Sequence, residues 1–298
     1  MKKYISSPIY YMGNKIKVLP DIEPLFYKNC DNFYDMFGGS GTVVLNVDYK
    51  NRYYNELNPF IYELFEMFTK YSIEELYIYI ENKIKEYNLI SVKSKHSDDY
   101  NLAVENFNKL KSNYNKNKDV RDLYILSCFS INHLIRFNSN KEFNVFYGTD
   151  SSCYHENRLL ASKPLFENKN IILSNKDYRD MEIKDNSFVY LDPPYYNTMA
   201  VYNEDRAFQS GWTLDDEYSL YNYLENLDKK NIKWGLSNSL RNDKIIDWAN
   251  SNNYYIKYID HPFSNQFNNR FNNRFNNDRI ELFITNYDTK EPKEIVLW

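Results

Sequence analysis

The most chemically restricted residues are Asp192-Pro193-Pro194-Tyr195, which follow the apolar run FVYL at 188–191. A run of this kind predicts a buried strand, and it delivers Asp192 at the strand end. Pro194 removes a backbone donor and restricts Pro193, so the Pro193 carbonyl projects at a set angle instead of joining a sheet ladder. A carboxylate beside a fixed carbonyl offers two acceptors, which is what a planar –NH2 group needs for its two hydrogens. Tyr195 adds a ring face on which a base can stack. An amine held in this way has only to be aligned with an activated electrophile, such as a sulfonium-bound methyl, while its developing charge is stabilised. That chemistry requires no metal. As an isolated tetrapeptide the same residues are also an ordinary turn after a strand, so the weight lies in what accompanies them.

What accompanies them is a glycine turn and an acid at the right separation. In DMFGGSGTV, Asp35 and Phe37 precede Gly38, Gly39 and Gly41, three of the seven glycines in the chain. Glycine allows a tight strand-to-helix turn and lets backbone N–H groups approach a ligand closely. Glu56 lies 21 residues after Asp35, at the end of the next candidate strand. From there an acidic side chain can hold the two hydroxyls of a ribose. The loop lacks the full GxGxxG spacing and a Walker Lys-Ser/Thr pair, which disfavours both a dinucleotide and a nucleoside triphosphate. Farther on, Asp177 and Tyr178 follow the run IILSN, where they could meet an adenine ring. Equally, Asn175 or Asp177 reads as a helix N-cap. In YYMGNK at 10–15, Tyr11 and Lys15 read by themselves as loop residues with a solvated lysine.

The elements that must position these residues fall into three textures. Residues 1–62 read as the start of an α/β unit: strand NFYDMF (32–37), glycine turn, helix start TVVLNV (42–47) and strand RYYNEL (52–57). From 63 to about 140, Gly and Pro nearly vanish, and Ile73, Leu76, Ile80 and Ile84 recur at helical spacing. DVRDLYILSCFSINHLIRF (119–137) reads as one buried helix, and the Lys-, Asn- and Ser-rich stretch 91–118 as a solvated connection. The α/β texture then resumes with candidate strands NIILSN (170–175), FVYLDPPY (188–195), IKWGLSN (232–238), YYIKYID (254–260) and IELFITNY (280–287), and a helix over 214–231. A helical block without strands inside an α/β pattern predicts an inserted domain: 63–149 between catalytic segments 1–62 and 150–298. QFNNRFNNRFNND (266–278) repeats four residues three times, as expected of a duplication in a tolerant surface loop.

Bulk composition narrows the function classes. A net charge of −4 argues against coating nucleic acid by bulk attraction, although it leaves room for a local basic cleft. Cys30, Cys128 and Cys153 are far apart and odd in number, so neither a disulfide framework nor a zinc site is expected, and a reducing cytosol fits. The N-terminus has no apolar segment of the signal-peptide kind, and no run reaches the length of a membrane span. A soluble intracellular protein, monomeric or weakly dimeric, is the expectation.

Taken in order, YYMGNK, DMFGGSGTVVLN, YNELN and LDPPY resemble the Dam-type (alpha-group) adenine-specific DNA N6-methyltransferases, and RFNSNKEFNVFYG (136–148) resembles the stretch that closes their target-recognition domain. The likeness runs from about residue 8 to 287. It implies a Rossmann-like S-adenosylmethionine-dependent methyltransferase sheet with an inserted helical target-recognition domain. It further implies that Tyr11 and Lys15 contact S-adenosyl-L-methionine, that Glu56 binds its ribose, and that Asp177 and Tyr178 meet its adenine. Asp192 would then be the catalytic carboxylate, lying also beside the amino-acid end of the cofactor. Double-stranded DNA would be the partner, its target adenine flipped into the DPPY pocket, and a cognate restriction endonuclease would fit such an enzyme in a bacterial or phage-infected cytoplasm. Arg136, Asn138, Asn140 and Lys141 fall in the DNA-reading stretch, and Arg270 and Arg274 in a region that lies near DNA in the family. Asn140 stands where relatives that read GATC carry Arg, so a GATC target is not implied. Methyl transfer to RNA, to the cytosine amine or to a protein amide, and a degenerate DNA-binding subunit, are the competing readings. Asp rather than Ser or Asn before the prolines favours adenine.

Overall fold

A computed structural model describes residues 2–11, 13–150, 152–167, 170–196, 212–260 and 280–289. Seven strands form one sheet in the order β3-β2-β1-β4-β5-β7-β6: β1 (Asn32–Asp35), β2 (Asn51–Asn55), β3 (Ile171–Ser174), β4 (Ser187–Leu191), β5 (Lys233–Ser239), β6 (Tyr255–Asp260) and β7 (Ile280–Thr285). The first five pair in parallel, and β7 runs antiparallel to both β5 and β6. The fold is therefore α/β with a Rossmann-like sheet. Its order reverses between β1 and β4, the switch point at which a sheet of this kind opens a crevice at the carboxyl ends of its strands.

Alternation along the strands divides the core into two layers. Phe33, Tyr54, Phe188, Tyr190 and Phe283 point to one face, with the helices between β1 and β3. Tyr34, Tyr53, Val189, Leu191, Trp234, Leu236 and Leu282 point to the other, beneath helices from the second half of the chain. Both faces of the central strands are buried, which is why their apolar residues, Phe33-Tyr34 in β1 and Phe188 to Leu191 in β4, are consecutive rather than alternating.

The helices on the first face begin with α1 (Leu19–Ile22) and α2 (Thr42–Asn46), followed by α3 (Pro59–Lys70), α4 (Ile73–Glu86), α5 (Tyr100–Asn117) and α6 (Val120–Phe129). Short α7 (Glu156–Ala161) and α8 (Lys163–Glu167) lead into β3. The second face carries α9 (Leu214–Lys229), with a Thr213–Asp216 capping box, and α10 (Asp243–Ser251). Among the described residues, no helix is long and apolar enough to cross a membrane.

Two expectations about the helices need correction. The stretch taken as a solvated connection contains the 18-residue helix α5. Ala103, Phe107, Leu110 and Tyr114 recur at helical spacing and are buried, and the Lys and Asn residues among them only coat the outer face. The helix expected to run to 137 stops at Phe129. There the Ser130 hydroxyl donates to the Ser127 and Leu134 carbonyls, and Asn132 and His133 both take left-handed backbone, with φ of 53° and 55°. The boundary expected at 62/63 falls inside α3, whose Phe65 and Phe68 share one apolar cluster with β1, β2 and α6.

That cluster also clamps the glycine turn. Phe65 stacks on Tyr54 with ring centroids 3.9 Å apart, and the Tyr54 hydroxyl donates to the Gly39 carbonyl at 2.8 Å. Gly41 has φ +74°, and a Cβ there would lie 2.0 Å from the Phe65 ring. Gly41→Ala combines left-handed strain with a clash against a ring that has nowhere to go. It should destabilise the fold by about 3 kcal/mol or more, read as a lower urea midpoint at unchanged m-value.

Candidate active site

The turn after β1 and the turn after β4 open into one cleft of about 330 Å³ at the carboxyl ends of the strands. The N-terminal segment forms a third wall. Asn46 of α2 accepts from the Ile5 N–H at 2.9 Å and donates to the Ile5 carbonyl at 2.8 Å. The Arg158 guanidinium donates to the Ser7 and Ile9 carbonyls and lies 3.8 Å over the Tyr10 ring. Thus fixed, the segment reaches Tyr11, which packs against Gly39, and the Asn14-capped turn that carries Lys15.

Three carboxylates meet this cleft from adjacent strands. Asp35 ends β1 and is 1% exposed, with its Oδ2 accepting from the Val44 N–H at 3.3 Å. Burial pushes its carboxyl well above the usual range, and Asp192 and Glu56 add like charge. Glu56 follows β2 and accepts from the Gly39 N–H at 2.9 Å and the Asn58 N–H at 2.8 Å. Burial raises its pKa while those N–H groups oppose the rise. Asp192 follows β4, and its Oδ1 receives the Lys15 ammonium at 2.8 Å and the Tyr195 hydroxyl at 3.1 Å. Burial outweighs the ammonium and pushes Asp192 up to about 6.

Lys15 is not the solvated lysine that its loop suggests. Its Nζ donates to the Tyr195 hydroxyl at 2.8 Å and also lies 3.3 Å from Glu281 Oε1. Nothing in the local sequence marks Glu281 as a site residue. It is the second residue of β7 and the one charged residue in that strand, and because β7 runs antiparallel its first residues lie at the carboxyl end of β5 and next to the cleft.

An aromatic box closes the side toward β3. Phe37 packs against Tyr178 at 5.1 Å and edge-on to Trp212 at 5.9 Å. Trp212 is held by its Nε1–H, which donates to the buried Glu217 carboxylate at 2.6 Å. Neither Trp212 nor Glu217 was an expected site residue, although a Trp immediately before a capping box is a usable signal. Asp177 caps the turn after β3, accepting from the Arg179 N–H at 2.9 Å, and its guanidinium partner holds its carboxyl below the usual range. The capping reading therefore describes Asp177, while Tyr178 lines the cleft with its ring.

The cleft thus gathers Tyr11, Lys15, Asp35, Phe37, Gly38, Gly39 and Glu56, together with Asp177, Tyr178, Asp192, Pro193 and Tyr195. Gly41 stays behind the turn, against Phe65. The expected DNA-reading residues stand apart, on a hairpin joined to the cleft through His133, Leu134 and Ile135. Asn140 and Lys141 are exposed at its tip and Arg136 is half-buried. Asn138 is occupied in building that tip: its Oδ1 accepts from the Asn140 and Glu142 N–H groups at 3.0 and 2.9 Å, and its Nδ2 donates to the Glu142 carboxylate. Arg270, Arg274 and the repeat around them lie outside the described residues.

A crevice at a sheet switch point, with an acid after β2 and another after β4, is that of a Rossmann-like α/β domain. The chain matches the D12 class N6 adenine-specific DNA methyltransferases over residues 11–286, and it belongs to that family. It is 35% identical to the modification methylase StsI of Streptococcus sanguinis over 97% of its length, covering 44% of that protein. It is 32% identical to the type II methyltransferase M.FokI of Planomicrobium okeanokoites over 95% of its length, covering 43% of that protein. The chain therefore spans less than half the length of these two relatives. The DNA adenine methylase of Escherichia coli K12 is 26% identical over 76% of the chain and 78% of its own length.

The raised Asp192 pKa has a consequence for stability. Between its ordinary value near 3.8 and about 6, the folded protein keeps a proton that the unfolded chain has released, so this group's contribution to stability declines as pH rises through that window. Asp192→Asn removes the titration. Its stability relative to the unmodified protein should therefore improve between pH 4 and pH 7.5, by on the order of 1–2 kcal/mol in urea unfolding. A difference that stays constant or moves the other way would contradict the assignment.

Proposed function

We propose that this chain transfers a methyl group from S-adenosyl-L-methionine to the N6 amine of an adenine rotated out of double-stranded DNA. One observation carries the reading: at the end of β4 the Asp192 Oδ2 and the Pro193 carbonyl make no hydrogen bond to any described residue, and both residues line the cleft that Glu56 enters. Two free acceptors side by side suit the two hydrogens of a planar amine.

The residues present fit the cofactor. Backbone N–H groups hold both oxygens of the Glu56 carboxylate, Gly39 on Oε2 and Asn58 on Oε1, and because each carboxylate oxygen can accept more than one donor the side chain can also receive a ribose hydroxyl. Phe37, Tyr178 and Trp212 offer apolar faces for an adenine ring. Among the described residues lining the cleft, Asp35, Glu56, Asp177, Asp192 and Asp216 outnumber the cations Lys15, Lys176 and Arg179. That excess suits a sulfonium and opposes a polyphosphate. Bound there, the cofactor supplies a methyl already activated by its sulfonium.

The chain then has little covalent chemistry to perform. Asp192 and Pro193 orient the amine and stabilise the positive charge that grows on its nitrogen. Tyr195 provides a ring edge and face at the base site, with its hydroxyl tied to Asp192 so that the two move as a unit. We assign the DNA-reading role to residues 63–149, with Asn140, Lys141 and Arg136 at or near the hairpin tip as the groups that meet base edges and phosphates. The methylase names of the relatives support a place in restriction–modification, with a cognate endonuclease as partner.

Incubation with tritiated S-adenosyl-L-methionine and DNA of mixed sequence should place label in N6-methyladenine after digestion to nucleosides. Label confined to N4-methylcytosine, RNA or protein would overturn the reading, as would no transfer despite cofactor binding. Asp192→Ala should lower turnover at least a thousandfold, the scale expected when an oriented electrostatic contact is removed. Asp35, Glu56 and Asp192 all hold protons more tightly than ordinary carboxylates, and a cation in their cleft favours their ionised forms. Affinity for S-adenosyl-L-methionine, measured by calorimetry, should therefore tighten roughly tenfold from pH 5 to pH 7.5.

A further inference from the structure

We propose that Glu281 is a positioning residue for the methyl transfer, sharing the Lys15 ammonium with Asp192 so that the ionised group keeps a net negative charge beside the reacting amine. The inference rests on the functional reading above. Lys15 Nζ lies 2.8 Å from Asp192 Oδ1 and 3.3 Å from Glu281 Oε1, and the Tyr195 hydroxyl lies 3.1 Å from the first carboxylate and 2.9 Å from the second. The three charged side chains are 9%, 17% and 16% exposed, so bulk water screens them little.

Charge balance explains why a second acid is needed. An isolated, shielded Lys15–Asp192 pair would be neutral, and its ammonium would repel a nitrogen acquiring positive charge beside Asp192. With Glu281 included, one cation is divided between two carboxylates and the group carries a net charge of −1 when all three are ionised. The ammonium then still orients Asp192 through Oδ1, leaving Oδ2 for the amine, without cancelling its field. Tyr195 adds a mechanical link, because its hydroxyl accepts from Lys15 and reaches both acids.

The topology makes this arrangement deliberate in a physical sense. Glu281 occupies the face of β7 that carries Phe283, and its neighbours Leu282 and Ile284 pack into the opposite core layer. The strand register is therefore fixed by its apolar residues, and it places a carboxylate where a parallel strand would have placed a loop. The other titratable groups around the pair are Asp35 at the end of β1 and the Tyr190 phenol on β4, both on the cleft side of the sheet.

Glu281→Gln keeps the shape and removes the charge. Lys15 then neutralises Asp192 alone, and loss of the neighbouring like charge lowers the pH at which Asp192 ionises. In single-turnover methyl transfer with the full chain, the plateau rate should fall ten- to a hundredfold, while the acid limb of the pH profile moves down by at least half a pH unit. Affinity for S-adenosylhomocysteine should stay within about threefold, and Glu281→Asp should recover part of the rate. An unchanged plateau, or a reduced plateau with an unmoved acid limb, would overturn the proposal. The carboxyl of Asp192 can also be titrated by carbon-13 NMR without substrate: equal midpoints in both proteins would overturn the proposal, and a lower midpoint in Glu281→Gln would support it. Should the unmodified protein methylate no DNA, the functional reading fails on that assay, and this titration still judges the shared ammonium by itself.

Discussion

Adjacent parallel strands whose following segments leave toward opposite faces cannot close over their own carboxyl ends. At the β1/β4 boundary this leaves a gap that neither helical layer fills, and every functional group described above is placed by that gap. Asp35 and Asp192 sit on its two rims because each is the polar residue at or just after the end of a strand buried on both sides. Glu56 reaches it from the next strand outward. The three acids are kept together, against their mutual repulsion, by strand pairing that is paid for elsewhere, in the Phe33–Phe188 and Tyr34–Trp234 layers.

That repulsion is itself informative. Burial raises the pKa of all three carboxyls, so without a cation the site is electrostatically unsatisfied. Lys15 relieves only part of the excess, being shared with Glu281 as well as Asp192. A cleft of this kind gains most from a ligand bearing positive charge or from hydroxyl and amine donors, and gains nothing from phosphate. The same sheet that builds the cleft therefore also selects the chemistry of what enters it.

The hairpin around residues 137–143 follows a different logic. Phe137 and Phe143 anchor it, the former stacked on Phe60 of α3 at 3.4 Å between ring centroids, while Asn138 spends its side chain on the turn. Its core ties the tip to the catalytic domain, and the exposed positions 139–142 are left to vary without disturbing that anchor. This separation of anchor from tip lets the tip change in sequence while the packing that ties it to the sheet stays the same.

Much of this was legible in the residues themselves. Apolar runs ending in Asp, a glycine turn with an acid one strand later, and two prolines after an aspartate each carry local constraints that the backbone must obey, so the five parallel strands, Asp35, Glu56 and Asp192 could be placed from the sequence. Helix α5 and the early stop of α6 were not, because a thin apolar stripe under a polar coat, and a serine that diverts backbone carbonyls, are decided by what packs against them. Glu281 and Trp212 were hidden for a related reason. Their partners lie far away along the chain, Tyr195 at a separation of 86 residues and Lys15 farther still for Glu281, and Phe37 across the sheet for Trp212. Only the antiparallel return of β7 brings that acid to the DPPY turn, and only the packed cleft converts Lys15 from a loop lysine into the centre of a buried charge network. Local residue chemistry determined the sheet and its main acids. The company those acids keep was decided by tertiary structure, because electrostatics acts through space and not along the chain.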